Sequence, residues 1–445
     1  MALSGLDIYK LLPKTNCREC GFVTCLAFAM QLVKRQALPE KCPYLSEQAK
    51  SALDAASRPP IKLVVIGEGE DKLEIGNETV MFRHEEKFHH PTGLGFIIED
   101  GLSSEEILKT VNKINALSFE RIGCLLRPNL IAIKQNGDAS VFAAAVKLVK
   151  EHTNLGLVLI SKDASAQRSA LEIAACGKPL IYGLDKNNLE AFTKLAVEFK
   201  VPLVVSLQDL SELSAVAGKL IAQGVEDLIL DTGNKNIAEK IWDLTQIRRR
   251  GLYRSERSLG FPTIVTIEDS ADRFDPILEA ATYIAKYAGV VLIKANEPWQ
   301  ALSLLTLRQN IYTDPQRPLQ VESKLYPIGN TSDKSPVLIT TNFSLSYYTV
   351  LGEVEASKIP AYIMTIDTEG MSVLTAWAAE KFTPESISAA IDKYGLKEQV
   401  CHKQLVIPGY VAVMSGKLED ACGWQVAVGP KEASGIPSFL KNLQL

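Results

Sequence analysis

Eight short apolar runs between residues 93 and 312 constrain this chain more than any other feature: LGFIIE at 94, LIAIKQ at 130, GLVLIS at 156, PLIYGL at 179, PLVVSL at 202, DLILDT at 227, TIVTIE at 263 and VVLIKA at 290. Each is apolar throughout rather than at alternate positions, so each reads as a strand buried on both faces. A helical pattern follows most of them. Strand-helix alternation repeated eight times predicts a closed (β/α)8 TIM barrel over 93–325. An open doubly wound sheet is the competitor, and eight units in this length fit the barrel better.

The alternation restarts further on. VLITT (337–341), AYIMTID (361–367), QLVIPG (404–409) and WQVAVGP (424–430) each precede a helical pattern, which predicts a small Rossmann-like domain over 326–445. Before it, YPIGNTSDKSP (326–336) has the polar, Pro-bearing composition of a tether, which would let the last domain move. At the other end, residues 1–57 hold two helical stretches and stop at SRPP; residues 58–92 read as a connector with a small β-sheet turning at Gly76-Asn77. The chain is therefore expected to be a multidomain α/β protein.

Cys17, Cys20, Cys25 and Cys42 form C-x2-C-x4-C, a gap of sixteen residues, and C-P. No apolar leader and no stretch of about 18 apolar residues is present, so a cytoplasmic, non-membrane setting is expected, where thiols stay reduced and clustered cysteines bind metal. Structural zinc sites usually draw ligands as two separate pairs. Three close ligands plus one remote favour a cuboidal 4Fe-4S cluster, with zinc the alternative. A net charge of -4 leaves no electrostatic footprint for nucleic acid, and the basic run Arg248–Arg250 reads as the end of a solvated helix.

The stretch LPKTNCRECGFVTCLAFAMQLV…LPEKCPYL resembles the four-cysteine iron-sulfur domain of electron-transport complexes and of the large (gamma) subunit of the corrinoid iron-sulfur protein. An iron-sulfur module, a barrel and a small Rossmann domain containing LVIPGYVAVMSGKLEDACGWQVAVGPKEASGIPSFL make the whole chain similar to that large subunit. The resemblance implies a methyl-transferring corrinoid protein of the acetyl-CoA (Wood-Ljungdahl) pathway. A methyl group would pass from methyltetrahydrofolate, through a methyltransferase, to Co(I) and on to acetyl-CoA synthase/CO dehydrogenase, while the cluster reduces inert Co(II). It implies also a small subunit forming a heterodimer, and a reductive activator. An iron-sulfur electron-transfer subunit without its own corrinoid is the competing function.

No D-x-H-x-x-G motif is present: His84, His89, His90, His152 and His402 lie outside one, and TEGMS follows Asp367. A base-off corrinoid with no histidine ligand is therefore expected. Rossmann-like domains bind ligands at the carboxyl ends of their strands. That rule nominates Thr340, Thr341, Asn342, Ser344 and Ser346 after the first strand. After the second come Thr368, Glu369, Gly370, Met371, Ser372, Val373, Leu374 and Thr375, and after the last Gly429, Pro430, Ala433, Ser434, Gly435 and Ile436. Helix capping is the alternative for each hydroxyl.

Other features are discounted. HEEKFHH (84–90) reads as a solvated hairpin, and Cys124, Cys176, Cys401 and Cys422 as buried packing. GEGEDKLEIG lacks the phosphate-loop pattern, so NAD is not expected. Glu99, Asp100, Lys134, Asp185, Asp231, Glu268 and Lys294 fall at barrel strand ends, where catalytic groups sit in active barrels. They receive no catalytic role, because the resemblance assigns folate chemistry to a separate protein.

Overall fold

A computed structural model describes the chain apart from residues 1–4, 34–36, 38, 47–48, 50–58, 268–269, 271, 295, 316–317 and 444–445. The second helical stretch expected within 1–57 (LSEQAKSALDAA), Ser57 and Arg58 of SRPP, and Glu268 fall largely or wholly outside the described residues. Two compact units emerge: Met1–Phe119 with Leu126–Tyr312, and Glu120–Leu125 with Thr313–Leu445.

In the first unit, helix Gly5–Leu11 and helix Cys25–Val33 precede the antiparallel pair β1 (Val64–Ile66) and β2 (Leu73–Ile75). Then come β3 (Gly93–Glu99) and, after a hairpin of β4 (Phe119–Arg121) and β5 (Cys124–Leu126) whose residues Glu120–Leu125 belong to the second unit, β6 (Leu130–Lys134), β7 (Gly156–Ile160), β8 (Leu180–Leu184), β9 (Leu203–Ser206), β10 (Leu228–Asp231), β11 (Ile264–Thr266) and β12 (Val290–Ile293). Eight of these pair in parallel in the order β10-β9-β8-β7-β6-β3-β12-β11. A parallel bridge between Leu230 and Thr263 joins the two ends, so the sheet is a nearly closed TIM-like barrel whose strands are the eight apolar runs.

Ile97, Leu130, Val158, Leu180, Val204, Ile229 and Val290 fill its interior together with Val64, Ile66, Leu73 and Ile75. The β1–β2 pair thus plugs the amino-terminal end of the barrel. Gly93 shows how tightly, since a Cβ there would lie 2.3 Å from a Leu73 methyl. The turn expected at Gly76-Asn77 is present, both residues having left-handed φ (97° and 60°). The surrounding helices are capped locally: Ser103 and Glu106 form a reciprocal capping box, and Asp209 accepts from Ser211 N and Glu212 N, each cap contributing about 1 kcal/mol.

The basic run corrects one expectation. Arg248 lies buried inside helix Ile237–Arg254, pairs with Glu78 at 2.9 Å and is flanked by the Phe88 and Tyr287 rings at 4.7 Å each. A guanidinium can enter a core when a carboxylate and aromatic faces replace its water.

The second unit is a five-stranded sheet of β13 (Leu325–Ile328), β14 (Val337–Thr341), β15 (Ala361–Ile366), β16 (Gln404–Ile407) and β17 (Gln425–Val428), in the order β13-β15-β14-β16-β17. All neighbours are parallel except β13, which runs antiparallel to β15. Alternate side chains build two cores. Leu338, Ile363 and Val406 pack with Tyr347, Val354, Ile436 and Leu440, and Ile339, Met364 and Ile407 with Ile387, Ile391 and Leu418. Helices therefore cover both faces.

The tether expected over 326–336 is structured instead. Pro327 sits opposite Tyr362 on an edge strand, where a missing N–H removes no ladder bond. The following turn is closed by Ser332 N donating to Ser335 Oγ (2.9 Å) and Cys401 N donating to Asp333 O (2.8 Å).

Candidate functional site

The first candidate is the cysteine loop. Cys17 and Cys20 lie between the two amino-terminal helices, Cys25 opens the second helix, and Cys42 follows the short turn Pro39–Lys41. Lys14, Asn16, Arg18 and Gly21 all have left-handed φ (61°, 50°, 68° and 84°). For a residue with a side chain this conformation costs roughly 1 to 2 kcal/mol. The tight course is held by Cys25 N donating to Asn16 Oδ1 (2.8 Å), Gly21 N to Arg18 O (2.9 Å) and Tyr44 Oη to Glu19 (2.8 Å). At Gly21 the left-handed φ of 84° itself favours glycine.

Cys25 and Cys42 are buried, Cys20 half-buried and Cys17 exposed. Burial pushes the Cys42 thiol up, and the thiols of Cys20, Cys17 and Cys25 push it the same way. Cys25 and Cys42 belong to one buried cluster, with Cys20 packed against it. Among the described residues no three His, Cys, Asp or Glu side chains converge as they would around one metal ion.

The second candidate lies in the second unit. From β14 the chain goes to β15 on one side and later to β16 on the other, so the β14–β16 boundary is a topological switch point, where α/β sheets open a crevice. A cavity of about 390 Å³ occupies this place. Of the nominated residues, Thr340, Ser346, Ser372, Val373, Leu374, Gly429, Pro430, Ala433 and Ile436 line it. The strand-end residues Leu338, Ile339, Val406 and Ile407 form part of the lining. The β16 loop, which the sequence did not nominate, contributes Pro408 and Tyr410; Phe343, Leu345, Thr349, Val350 and Lys431 were also missed. No histidine lines it. His402, the one histidine of this unit, contacts Ser335 O instead (2.9 Å).

The other nominated residues do not line the cavity. Asn342 is buried, and its Oδ1 accepts from Thr368 N (3.0 Å), Thr368 Oγ1 (3.1 Å) and Gly370 N (3.1 Å), while its Nδ2 donates to Asp367 (3.1 Å) and Gln320 (3.2 Å). It ties the loops after β14 and β15 together. Ser344 is buried with its N–H on Leu319 O (2.9 Å), and Thr341 is fully buried. Met371 packs on the core; Glu369 is exposed and pairs with Lys381 (2.5 Å); the Thr375 and Ser372 hydroxyls bond each other (3.0 Å). Gly370 passes Gln320 so closely that a Cβ would meet it at 2.7 Å. Ser434 is exposed, and Gly435 abuts Pro430.

The loops after β16 and β17 are clamped together. Gly429 N donates to Ile407 O (2.9 Å), Gly409 N to Pro430 O (3.1 Å), and Tyr410 Oη to Glu432 (2.5 Å). That hydrogen bond, with the Glu432 charge, raises the Tyr410 phenol. A Cβ at Gly409 would lie 2.6 Å from Gly429 O, so no other residue fits.

At the carboxyl ends of the barrel strands a cavity of about 650 Å³ is also present, but its carboxylates are committed. Asp231 accepts from Lys240 (2.9 Å), Gly233 N (3.1 Å), Tyr182 (2.6 Å) and Ser206 (2.6 Å), and Asp185 from Asn187 N (2.8 Å). Burial first, and then Asp231, pushes the Tyr182 phenol far up. Glu99 pairs with Lys294 (2.7 Å), and Asp100 Oδ1 accepts from Asn136 N (2.7 Å) and Gly137 N (3.0 Å), whereas its buried Oδ2 has no partner among the described residues.

Two discounted features read differently here. Residues 84–90 contain no strand, with His89 beside Glu86 (3.3 Å) and His90 on Gly76 O (2.8 Å). Cys176 and Cys401 are exposed, Cys124 is half-buried, and Cys422 is half-buried against the second unit's core.

The site geometry defines a protein that pairs a four-cysteine loop with an α/β switch-point cavity. Residues 63–440 match the family described as CO dehydrogenase/acetyl-CoA synthase delta subunit, and residues 12–44 match a putative Fe-S cluster family. The corrinoid/iron-sulfur protein large subunit of Moorella thermoacetica is 46% identical over 99% of both chains. The acetyl-CoA decarbonylase/synthase complex subunit gamma of Methanothermobacter thermautotrophicus is 34% identical over 100% of this chain and 99% of its own. Among solved structures, dihydropteroate synthase from Thermus thermophilus covers 56% of this chain and 100% of its own at 13% identity and TM-score 0.41. The chain belongs to the family of corrinoid/iron-sulfur protein large subunits of the acetyl-CoA pathway, known in archaea as the gamma subunit. Among the described residues no helix is long and apolar enough to cross a membrane.

Proposed function

We propose that this chain is a cytoplasmic methyl carrier, holding a 4Fe-4S cluster on Cys17, Cys20, Cys25 and Cys42 and a base-off corrinoid at the switch-point cavity of a Rossmann-like second unit. When bound, the corrinoid supplies the nucleophilic metal that takes a methyl group originating in methyltetrahydrofolate, and the cluster supplies the electron that restores it. The observation that carries the reading is the cavity itself. It is mostly apolar, it has a hydroxyl fringe of Thr340, Ser346, Thr349 and Ser372, and no histidine reaches it.

Such an apolar slot would hold the flat, uncharged part of a corrinoid, and the hydroxyl fringe would bond its amide side chains. Asn342 fixes the β14 and β15 loops that frame the mouth, and the Gly409–Gly429 clamp fixes the other wall. No histidine is among the lining residues, so a bound corrinoid would draw no imidazole ligand from this wall. Leu345, Leu374 and Tyr410 line the cavity yet are 51%, 46% and 45% exposed. A rim this apolar favours a covering partner, which in this reading is a small subunit forming a heterodimer. The methyltransferase, acetyl-CoA synthase/CO dehydrogenase and a reductive activator are the transient partners.

Metal analysis of the anaerobically purified protein with its small subunit tests the assignment. About one cobalt and about four iron per chain are expected. Iron without cobalt would leave an electron-transfer subunit, and zinc in place of iron would overturn the cluster.

A further inference from the structure

Among the described residues lining the switch-point cavity, Lys431 alone carries a charge. The rest of the wall is apolar or neutral, so a ligand's inserted part must be uncharged, and any charge it bears must be negative and at the rim. Lys431 is exposed, and among the described residues no ion pair holds its ammonium. Its backbone, by contrast, is fixed. A Cβ at Gly409 would lie 2.8 Å from Lys431 N, Gly409 N donates to Pro430 O (3.1 Å), and the next residue, Glu432, is bonded to Tyr410 (2.5 Å). A cation left unpaired on a clamped loop, at the edge of a neutral slot, is placed to meet an anion.

We propose that Lys431 is a specificity-determining residue that pairs with the phosphodiester linking a corrinoid's macrocycle to its lower base. The inference rests on the corrinoid reading above and adds to it the part of the cofactor that is read: the single negative charge between the ring and the buried base. The loop clamp gives the ammonium its position, and the slot excludes a second charge. Complete corrinoids are thereby favoured over truncated ones.

The test measures binding of two probes, cobalamin and cobinamide, to the full chain with its small subunit. Cobinamide lacks both the phosphodiester and the base. Lys431→Gln should weaken cobalamin binding about five-fold, the size of an exposed charge pair, and leave cobinamide binding unchanged. Lys431→Arg should restore the wild-type value. The wild-type preference should fall with added salt while that of Lys431→Gln does not. Equal weakening of both probes would make Lys431 a structural residue, and no change with either would remove it from the site; both results overturn the inference alone. Failure of the wild-type protein to bind either corrinoid overturns the underlying reading and the inference together.

Discussion

Removing the Asn342 side chain should loosen the mouth of the second-unit cavity without emptying the cavity itself. Asn342→Ala deletes an acceptor used by Thr368 N, Thr368 Oγ1 and Gly370 N, and a donor used by Asp367 and Gln320. The two backbone N–H groups suffer most, because Thr368 and Gly370 are buried and water reaches them poorly. A stranded buried donor costs about 1 to 3 kcal/mol, so the pair predicts a loss of about 3 kcal/mol once partial rehydration is allowed. Asn342→Asp keeps the acceptor but sets a second carboxylate beside Asp367, so it should be less tolerated at neutral than at acid pH. The assay is denaturant unfolding of the ligand-free chain, followed through Trp377 and Trp424 and fitted to the second unit's own transition, since two units need not unfold together. Corrinoid retention is measured alongside. A change below about 0.5 kcal/mol with normal retention would show that the loops are held by something else.

Replacing Cys17, Cys20, Cys25 or Cys42 with Ala should abolish or degrade bound iron, whereas Cys176→Ala should not; iron content after anaerobic purification decides it. Asp231→Ala leaves Lys240 buried and unpaired, which should cost the first unit about 3 to 5 kcal/mol in denaturant unfolding while corrinoid content per folded chain stays normal. The Lys294 hydrogen bond holds the Glu99 carboxyl below its ordinary range. The stability this confers is present above the unfolded carboxylate range and is lost as pH falls through the lowered folded value. Lys294→Met should erase that acid-side dependence in melting curves taken between about pH 3 and pH 6, and an unchanged profile would exclude the pair as its source.

Much of the barrel was legible because every strand is buried on both faces, which leaves an unbroken apolar run for each. The plugging role of β1–β2 was not, because three-residue strands show no period; only contact with Gly93 reveals what they close. Pro327 and the polar turn after it mimic a tether, since an edge strand and a linker tolerate the same residues. Arg248 misled for a similar reason: its burial depends on Glu78, Phe88 and Tyr287, all distant in sequence. At the cavity, the rule that ligands sit at strand ends found Thr340, Ser372 and Gly429. It could not separate residues that face the cavity from those that brace its loops, so Asn342 and Thr368 were nominated as contacts. The Pro408-Gly409 loop was passed over because a turn that opens a helix and one that lets two loops touch look alike in sequence. Glycine at 409 was the available signal.

In the proposed function, a methyl group rests on this protein between two others. The direct measurement incubates the reduced heterodimer with methyltetrahydrofolate labelled in its methyl group and a catalytic amount of the methyltransferase, then separates the proteins by size under anaerobic conditions in the dark. Label should elute with this chain in proportion to its cobalt, and leave it when acetyl-CoA synthase is added. Cluster-free Cys17→Ala protein, chemically reduced beforehand, should take up label equally well. Label that never associates with a cobalt-loaded, fully reduced heterodimer would contradict the claim.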